Sequence, residues 1–264
     1  MNETKPLKTT ANQSSDKLLY ILETLVAQAE PLRLQEIAKL CDMNASTALR
    51  FLSALQKRGY VAQDMDTGRY YVTYKICALA ESVSASSSVR TIALPFMRSM
   101  ANLFNESCNL AIEQDMTIMY VEVIRAPNNL LMSTQRIGNV APMHCTGIGK
   151  LFLACYSEAE MDKYLAIKKM IPFTANTIIS AEMLKKEVEQ VARLGYAFDN
   201  EECEVGVRCI AVPILDYTGK MHAGLSVSGP AVRMTDEFIY TRLSALQETA
   251  HQLSMCMGWQ NGGA

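Results

Sequence analysis

Three polar side chains, Ser46, Thr47 and Arg50, have the types and spacing needed to contact DNA bases and backbone. Short hydroxyls can reach phosphates and base edges, and an arginine can donate a pair of hydrogen bonds to guanine in the major groove. On a helix, Lys57 would lie two turns further along the same face. The opposite face is predicted to be buried, because apolar residues recur there at helical spacing. They are Ala48, Leu49, Leu52 and Leu55.

The element that must position these side chains is the second helix of a helix, turn and helix pattern within residues 34–59. The sequence predicts a first helix over residues 34–40, and residues 41–43 then break the periodicity. Asn44 is a suitable N-cap, because its side-chain oxygen can accept a hydrogen bond from the first helical turn. An ordinary amphipathic helix pair with a solvated polar face is the alternative interpretation.

One more helix is predicted ahead of this pattern. Ser14 or Ser15 would cap it, and its periodicity continues to about residue 28. Its apolar stripe comprises Leu18, Leu19, Leu22, Leu25 and Val26. Residues 1–13 are polar and lack periodicity, so we expect them to form a flexible arm.

A β-hairpin is predicted directly after the two helices. The β-prone runs 60–63 and 69–72 flank residues 64–68, whose sequence DMDTG is typical of a hairpin turn. Three helices followed by a hairpin form a winged helix-turn-helix, which we assign to residues 14–75. Arg69, just past the turn, would contact phosphate or the minor groove, whereas a generic hairpin with an exposed arginine is the alternative.

The charge distribution suits a local rather than a global nucleic-acid surface. The 264 residues carry a net charge of −2, which excludes a chain that is basic throughout. Residues 1–90 hold 11 Lys and Arg against 9 Asp and Glu, whereas the remainder holds 14 against 18. This asymmetry favours DNA contact by the N-terminal part alone. The length suits two domains. The sequence shows no signal peptide and no membrane-spanning apolar run, so we expect a cytoplasmic protein that does not contact membranes.

The rest of the chain predicts an antiparallel sheet surrounded by helices. A serine-rich linker over residues 76–91 leads to a domain over residues 92–260, which opens with a helix over residues 92–105 whose first turn holds Pro95. Strands are predicted at residues 109–113, 117–124, 130–136, 196–199, 207–215 and 221–228. Helices are predicted at residues 145–155, 157–165, 180–194 and 236–258. Strands in meander order with helices at the start, middle and end indicate an α+β fold.

Three motifs in this second part resemble those of IclR-type transcriptional regulators. They are PMHCTGIGKLFLA at residues 142–154, DNEECEVGVRCIAVPI at 199–214 and GLSVSGP at 224–230, in that order. The resemblance covers nearly the whole chain after residue 14. It implies a winged helix-turn-helix, a linker helix and a GAF-like effector-binding domain. It also implies a homodimer or homotetramer that binds double-stranded operator DNA and a small metabolite, often a carboxylate.

The resemblance further implies which side chains contact the effector. By position these are Gly147, Ile148, Asp199, Cys209, Ser226 and Ser228. Their chemistry agrees with that role, because Gly147 and Gly149 would leave backbone amides bare at a helix start, where an anion is favoured. Ser226 and Ser228 alternate along one strand and therefore point to one side of it. Asp199 beside a carboxylate would have to accept from a ligand hydroxyl or share a proton with the ligand.

Structural roles for these residues are the alternatives. The two serines could be ordinary strand residues, and Cys209 could be a buried core thiol. Lys150 could attract an anion but could instead pair with Glu202, so we leave it out of the site. Glu201 and Glu202 are expected to form structural ion pairs. His144 could be a ligand donor or a loop residue.

The eight cysteines indicate neither a disulfide framework nor a metal site. They form no CxxC pair, and most lie in apolar runs, so we expect reduced and mostly buried thiols. A zinc site from His144, Cys145, Cys203 and Cys209 matches no familiar spacing. We therefore predict no metal and no cofactor.

The function that these patterns favour is a ligand-responsive transcriptional regulator of a catabolic operon, and we favour repression over activation. The chain has no G-x-S-x-G elbow, and the adjacency of His144 and Cys145 does not place their side chains to react, so we do not expect an enzyme. A redox sensor that uses Cys203 and Cys209 is the remaining alternative.

Overall fold

The structure is a computed structural model that describes residues 13–28, 30–86, 88–125 and 135–260. Contacts divide the chain between residues 86 and 87 into two compact units, which we describe separately. The division falls inside the serine-rich segment where the sequence predicts a linker. The predicted arm over residues 1–13 lies outside the described residues, apart from the helical backbone of Gln13.

The first unit contains three helices, a hairpin and a fourth helix. These are α1 Gln13–Ala27, α2 Leu34–Leu40, α3 Ala45–Lys57, β1 Val61–Gln63, β2 Tyr70–Val72 and α4 Lys75–Ser86. Its core joins α1, α2, α3 and the hairpin through Ile21, Leu25, Ile37, Phe51, Leu52, Leu55, Val61 and Tyr70. The predicted winged helix-turn-helix architecture is therefore present, and α4 occupies most of the segment that the sequence predicts as a linker.

Two details of α1 differ from the prediction. The helix already begins at Gln13, so Ser14 and Ser15 lie inside its first turn and neither is the N-cap. The buried stripe is centred on Ile21 and Leu25, whereas Leu19 and Val26 are exposed. The adjacent residues Leu18 and Leu19 satisfy helical spacing equally well. Only the position of the neighbouring helices determines that Leu18 packs against the core and Leu19 does not.

The α3 helix begins where the sequence predicts. Asn44 is its N-cap, and the Asn44 side chain accepts a hydrogen bond from the backbone nitrogen of Thr47 at 2.8 Å. The predicted buried face is wrong at one position, because Leu49 is 43% exposed and Phe51 is buried instead. The apolar face is therefore rotated toward Phe51, and Leu49 lies on the solvent side of the helix.

The second unit is an α+β domain. Its helices are α5 Val89–Phe104, α6 Gly147–Ala154, α7 Glu158–Ile167, α8 Ala181–Leu194 and α9 Asp236–Cys256. Its strands are β3 Ser107–Gln114, β4 Thr117–Ile124, β5 Val140–Ala141, β6 Ala197–Asn200, β7 Val207–Leu215 and β8 Met221–Pro230. Within the described residues these strands form one sheet in the order β5-β4-β3-β8-β7-β6, and every neighbouring pair is antiparallel.

The two faces of this sheet are covered by different helices. The α5 and α9 helices pack on one face around residues such as Leu110, Leu225 and Val212. The α6, α7 and α8 helices pack on the other face, where Ala111, Ala197 and Ala211 leave room for them. The small strand residues and the serines of β8 alternate with the large apolar ones, so Ser226 and Ser228 lie on the second face.

Three features of this unit correct the sequence-based expectations. The strands do not follow a simple meander, because β8 returns to pair with β3. In the predicted strand over residues 130–136, the first five residues lie outside the described residues, and the last two are not in a strand. The α5 helix starts at Val89 because Ser88 caps it, so Pro95 lies in the second turn and not in the first.

The N-cap of α3 gives a first test. Asn44→Ala should lower the free energy of unfolding of the first unit by about 1 kcal/mol, because the amide of Thr47 loses its acceptor. Asn44→Asp retains the acceptor and should unfold close to the wild type. Urea unfolding followed by circular dichroism measures both variants, and equal losses for Ala and Asp would contradict the capping role.

Candidate functional site

The outer face of α3 presents Ser46, Arg50 and Lys57 to solvent, and Thr47 is half-buried beside them. Their spacing places them along one stripe of the helix. The hydroxyl of Ser46 donates to Oδ1 of Asn44 at 2.9 Å, so this serine also braces the start of the helix. No carboxylate among the described residues forms an ion pair with Arg50, which leaves its charge available to a polyanion.

Arg69, the arginine of the hairpin, already has contacts within the first unit. Arg69 is half-buried, and its Nη1 donates to the backbone oxygen of Pro31 at 2.8 Å. The same nitrogen lies 3.7 Å from Oε2 of Glu36. These contacts tie the hairpin to the segment before α2. Contact between Arg69 and DNA stays a prediction, and it would use the guanidinium N–H groups that these bonds leave over.

Strand register brings the predicted effector residues of the second unit together. Asp199 pairs with Cys209 across β6 and β7, Cys209 pairs with Ser228 across β7 and β8, and Ser228 pairs with Ser107 across β8 and β3. Directly paired residues point to the same side of a sheet, so these four side chains form one row. All four are buried. The row lies on the face that α6 covers.

A second row runs beside the first. Ser226 pairs with Ala211 on one side and with Asn109 on the other. Asn109 is 1% exposed, and its Nδ2 donates to the hydroxyl oxygens of Ser228 at 2.8 Å and of Ser226 at 3.3 Å. Asn109 therefore joins the two rows and holds both serines in place.

Sequence reasoning did not select Ser107 or Asn109 for this site. Their signal was the same alternation that identified Ser226 and Ser228, namely two polar residues separated by one apolar residue in a strand. That signal becomes specific only once β8 is known to pair with β3, because the two strands are far apart in sequence.

The start of α6 lies against this row. A Cβ atom on Gly147 would lie 3.2 Å from the sulfur of Cys209, and the Gly147 amide donates to that sulfur. Ile148 fills the space that a side chain at position 224 would need. A Cβ atom on Gly224 would lie 2.5 Å from the Cγ2 atom of Ile148. Two glycines thus allow the first turn of α6 to pack directly on the sheet.

One expectation about α6 is wrong. The amide of Gly149 is not bare, because it donates to the Oγ1 of the N-cap residue Thr146 at 3.2 Å. Glycine is required at position 149 for packing, since a Cβ there would lie 2.3 Å from the Cα of Met143. The amide of Gly147 is directed at Cys209. The helix start therefore offers an anion fewer amides than the glycines suggest.

Asp199 is the titratable group in the row. Burial raises its pKa to about 7, and the charge of Glu202 adds to the increase. The backbone amides of Glu202 and Cys203 donate to Asp199 Oδ1 at 2.8 and 3.3 Å, and these bonds oppose the increase only in part. Near neutral pH the carboxyl group can therefore either carry a proton or accept one.

A buried ion pair lies beside the row. Lys150 is fully buried, and its Nζ lies 2.7 Å from Glu202 Oε1 and 2.8 Å from Glu187 Oε1. Burial lowers the pKa of Lys150, but the attraction of both carboxylates outweighs burial and leaves the pKa above its usual value. The pairing of Lys150 with Glu202 that the sequence allowed is therefore present, and the lysine has no charge left over for a ligand.

His144 and the thiols near the row have protein partners. His144 is buried, its Nε2 lies 3.2 Å from the backbone oxygen of Ile171, and burial lowers its pKa. The thiols of Cys145 and Cys203 share a hydrogen bond, which lowers the pKa of Cys203. Redox sensing through Cys203 and Cys209 stays an alternative interpretation.

The remaining cysteines correct the expectation of mostly buried thiols. All eight are free, but only four are buried, and Cys77, Cys155 and Cys256 are exposed. In the described part of the chain, no group of three or more His, Cys, Asp or Glu side chains could hold a metal ion. Of the helices in the same residues, none combines the length and apolar content needed to cross a bilayer.

Two family profiles match the two units. The IclR helix-turn-helix domain matches residues 14–65, and the profile of the bacterial transcriptional regulator IclR C-terminal domain matches residues 81–255. The chain belongs to the IclR family. Within this family, the row that contains Asp199, Cys209 and Ser228 lies in the C-terminal domain, and the α3 stripe lies in the DNA-binding domain.

Individual relatives cover nearly the whole chain. The HTH-type transcriptional regulator KdgR of Escherichia coli K12 is 34% identical over 246 residues, which cover 93% of this chain and 92% of that protein. The transcriptional repressor IclR of the same organism is 29% identical over 248 residues, with coverage of 93% and 90%. The crystal structure of the Thermotoga maritima IclR aligns with a TM-score of 0.63 at 30% identity, and it covers 94% of this chain and 99% of that chain.

These similarities establish the class of protein. IclR-family members are DNA-binding transcriptional regulators, and the relatives found here are regulators and not enzymes. The α+β fold of the second unit and the helix-turn-helix of the first agree with the solved IclR structure.

The buried ion pair beside the row gives a second test. Lys150→Met should lower the free energy of unfolding by about 3–5 kcal/mol, because Glu202 would remain buried without a counter-charge. The double variant Lys150→Met, Glu202→Gln should recover a large part of that loss. Chemical denaturation measures both variants.

An exposed pair provides the matched control for that test. Lys186 and Glu182 form an ion pair at 2.7 Å with side chains that are 72% and 77% exposed, so Lys186→Met should leave stability nearly unchanged. Equal effects at Lys150 and Lys186 would contradict the importance of burial.

Proposed function

We propose that this protein represses transcription of a catabolic operon and releases its operator when a small organic acid binds the C-terminal domain. The observation that supports this most is the juxtaposition of Asp199, Cys209 and Ser228 in one buried row, with Ser226 beside it and the start of α6 above it. A row of hydroxyls, a thiol and a titratable carboxyl group, rather than a continuous apolar face, is suited to a small polar ligand.

We assign the effector contacts to the residues that the sequence motifs select. They are Gly147, Ile148, Asp199, Cys209, Ser226 and Ser228. The buried lysine beside the row, Lys150, is already paired with Glu202 and Glu187, so we expect neutral donors to hold the carboxylate. Asp199 would either accept a hydrogen bond from the ligand or share a proton with it, in agreement with its pKa of about 7.

We assign DNA contact to the α3 stripe and to the wing. Ser46, Thr47 and Arg50 would contact the major groove, Lys57 the phosphate backbone, and Arg69 phosphate or the minor groove. A homodimer or homotetramer in the cytoplasm would present such helices in pairs to a pseudo-palindromic operator. Repression is favoured over activation because one similar regulator, IclR of Escherichia coli, is a repressor.

The effector can control DNA binding only through a difference in affinity. An acid that binds equally well to the DNA-bound and the DNA-free arrangement would shift nothing, however tightly it bound. The proposal therefore requires that the acid binds better to the arrangement that does not fit the operator. The segment from α4 to α5 joins the two units and would carry this change.

The DNA contact can be tested with one side chain. Arg50→Ala should weaken operator binding in a gel-shift assay by about 10- to 100-fold, because a paired donor to a base is lost. Acid-induced thermal stabilisation of the same variant should remain as in the wild type. Arg193→Ala removes another exposed arginine, from α8 in the second unit, and serves as the control. Wild-type operator affinity in Arg50→Ala would overturn the assignment of this residue.

The acid-binding proposal can be tested through the titration of Asp199. Its raised pKa means that the group is mostly neutral below pH 7 and mostly charged above it. From pH 6 to pH 8 the neutral fraction falls from about nine tenths to about one tenth, so an anionic ligand should bind about tenfold more weakly at pH 8. Calorimetric titration with pyruvate, D-gluconate and benzoate measures this change.

The matched variant for this pH test is Asp199→Asn. It keeps an oxygen that can accept from the Glu202 and Cys203 amides, and acid affinity should then be nearly independent of pH. A wild-type affinity that is equal at pH 6 and pH 8, or a pH dependence that persists in the Asn variant, would contradict the role of Asp199. Failure of all three acids to bind would contradict acid sensing itself.

A further inference from the structure

Two buried polar atoms on the face that holds the proposed effector site have no partner. Among the described residues, no hydrogen bond reaches Oδ1 of Asn109 or Oγ of Ser107, although the two residues are 1% and 0% exposed. A buried acceptor without a donor is unfavourable and is rare in native proteins. Both atoms belong to strand positions that pair with the proposed effector residues Ser226 and Ser228.

The hydrogen bonds of Asn109 show which kind of group could bind its side-chain oxygen. Its amide nitrogen already uses its two donors on Ser226 and Ser228. The amide oxygen can only accept, so whatever completes it must carry a donor. A carboxylate has no proton to give at neutral pH, and a keto oxygen has none either. An alcohol has one.

The surrounding charges agree with a neutral donor. Lys150, the lysine next to this face, forms ion pairs with Glu202 and Glu187. Its ammonium group is therefore not available to pair with a ligand. Cys209 and Asp199 lie at the far end of the first row, two and three strands away from Ser107. The face therefore offers an acceptor at the Asn109 end and a titratable carboxyl group at the other end, which fits a ligand with hydroxyls along its length.

We infer that Asn109 is a specificity-determining residue of the effector site, and that the effector class is a hydroxy acid whose hydroxyl donates to Asn109 Oδ1. This inference rests on the proposed acid-sensing function and narrows it. The hydroxyl of Ser107, in the adjacent row, can both donate and accept and would take a second hydroxyl of a longer ligand. Plain and oxo acids of the same length would leave the Asn109 oxygen unpaired.

The expected difference in affinity between hydroxy acids and acids without the hydroxyl follows from the unpaired oxygen of Asn109. A site built around a hydrogen bond to a ligand hydroxyl disfavours the analogue without it, because a buried protein group is then left unsatisfied. For one neutral hydrogen bond we expect a difference in affinity of about three- to tenfold.

The experiment compares acids that differ only in oxidation state at one carbon. Full-length protein is titrated calorimetrically with L-lactate, propionate and pyruvate, and separately with 6-hydroxyhexanoate and hexanoate. Lactate should bind about three- to tenfold more tightly than propionate and pyruvate, and 6-hydroxyhexanoate more tightly than hexanoate. This comparison needs no variant and therefore does not depend on how a mutant folds.

Variants then assign the preference to Asn109. Asn109→Ala should reduce the affinity for each hydroxy acid to that of its deoxy partner and leave the deoxy acids unchanged. Asn109→Asp keeps an acceptor at the same place and should retain the preference while it weakens all acids through its charge. Asn102→Ala, on the exposed surface of α5, is the matched control and should change nothing.

Three outcomes would overturn the inference. Equal binding of hydroxy and deoxy acids would mean that a water molecule completes Asn109. Preference for pyruvate would mean that the amide nitrogen faces the ligand. A hydroxyl preference that survives Asn109→Ala would assign it to another residue. In each of these cases acid sensing itself stands, whereas a complete lack of acid binding would refute the proposed function as well.

Discussion

The antiparallel pairing of β3 with β8 is the contact on which the proposed site depends. It joins strands more than a hundred residues apart and sets Ser107 opposite Ser228 and Asn109 opposite Ser226. Because side chains alternate between the faces of a sheet, a slip of one residue would exchange the polar row with Leu225 and Val227 on the opposite face. The apolar core under α5 and α9 therefore fixes the register, and the polar site follows from it.

Buried charge near the row is tolerated because it is compensated locally. Lys150 forms ion pairs with two carboxylates, and the turn after β6 supplies two backbone amides to Asp199. The result is a region where one carboxyl group titrates near neutral pH while its neighbours remain paired. Such an arrangement would let a bound acid share a proton with Asp199, so that only one of the two carboxyl groups carries a charge.

The sequence was sufficient for the class of fold and insufficient for its geometry. Periodicity located α2, β7 and the N-cap Asn44, because each depends on local chemistry. It misplaced Leu49 and the centre of the α1 stripe, because helical spacing alone cannot select among adjacent leucines. The two glycines of α6 also suggested that the amide of Gly149 is bare, whereas this amide donates a hydrogen bond to Thr146. Asn109 required knowledge of strand pairing, which no local pattern contains.

The central claim is that the polar row in one unit and the α3 stripe in the other are thermodynamically linked. Linkage is reciprocal, so an acid that weakens operator binding by some factor must itself bind more weakly, by the same factor, to the operator complex. The direct measurement is the acid affinity by calorimetry with and without saturating operator DNA. We predict a loss of acid affinity on DNA that equals the loss of DNA affinity caused by acid. An acid affinity that does not change when operator is bound would contradict the account.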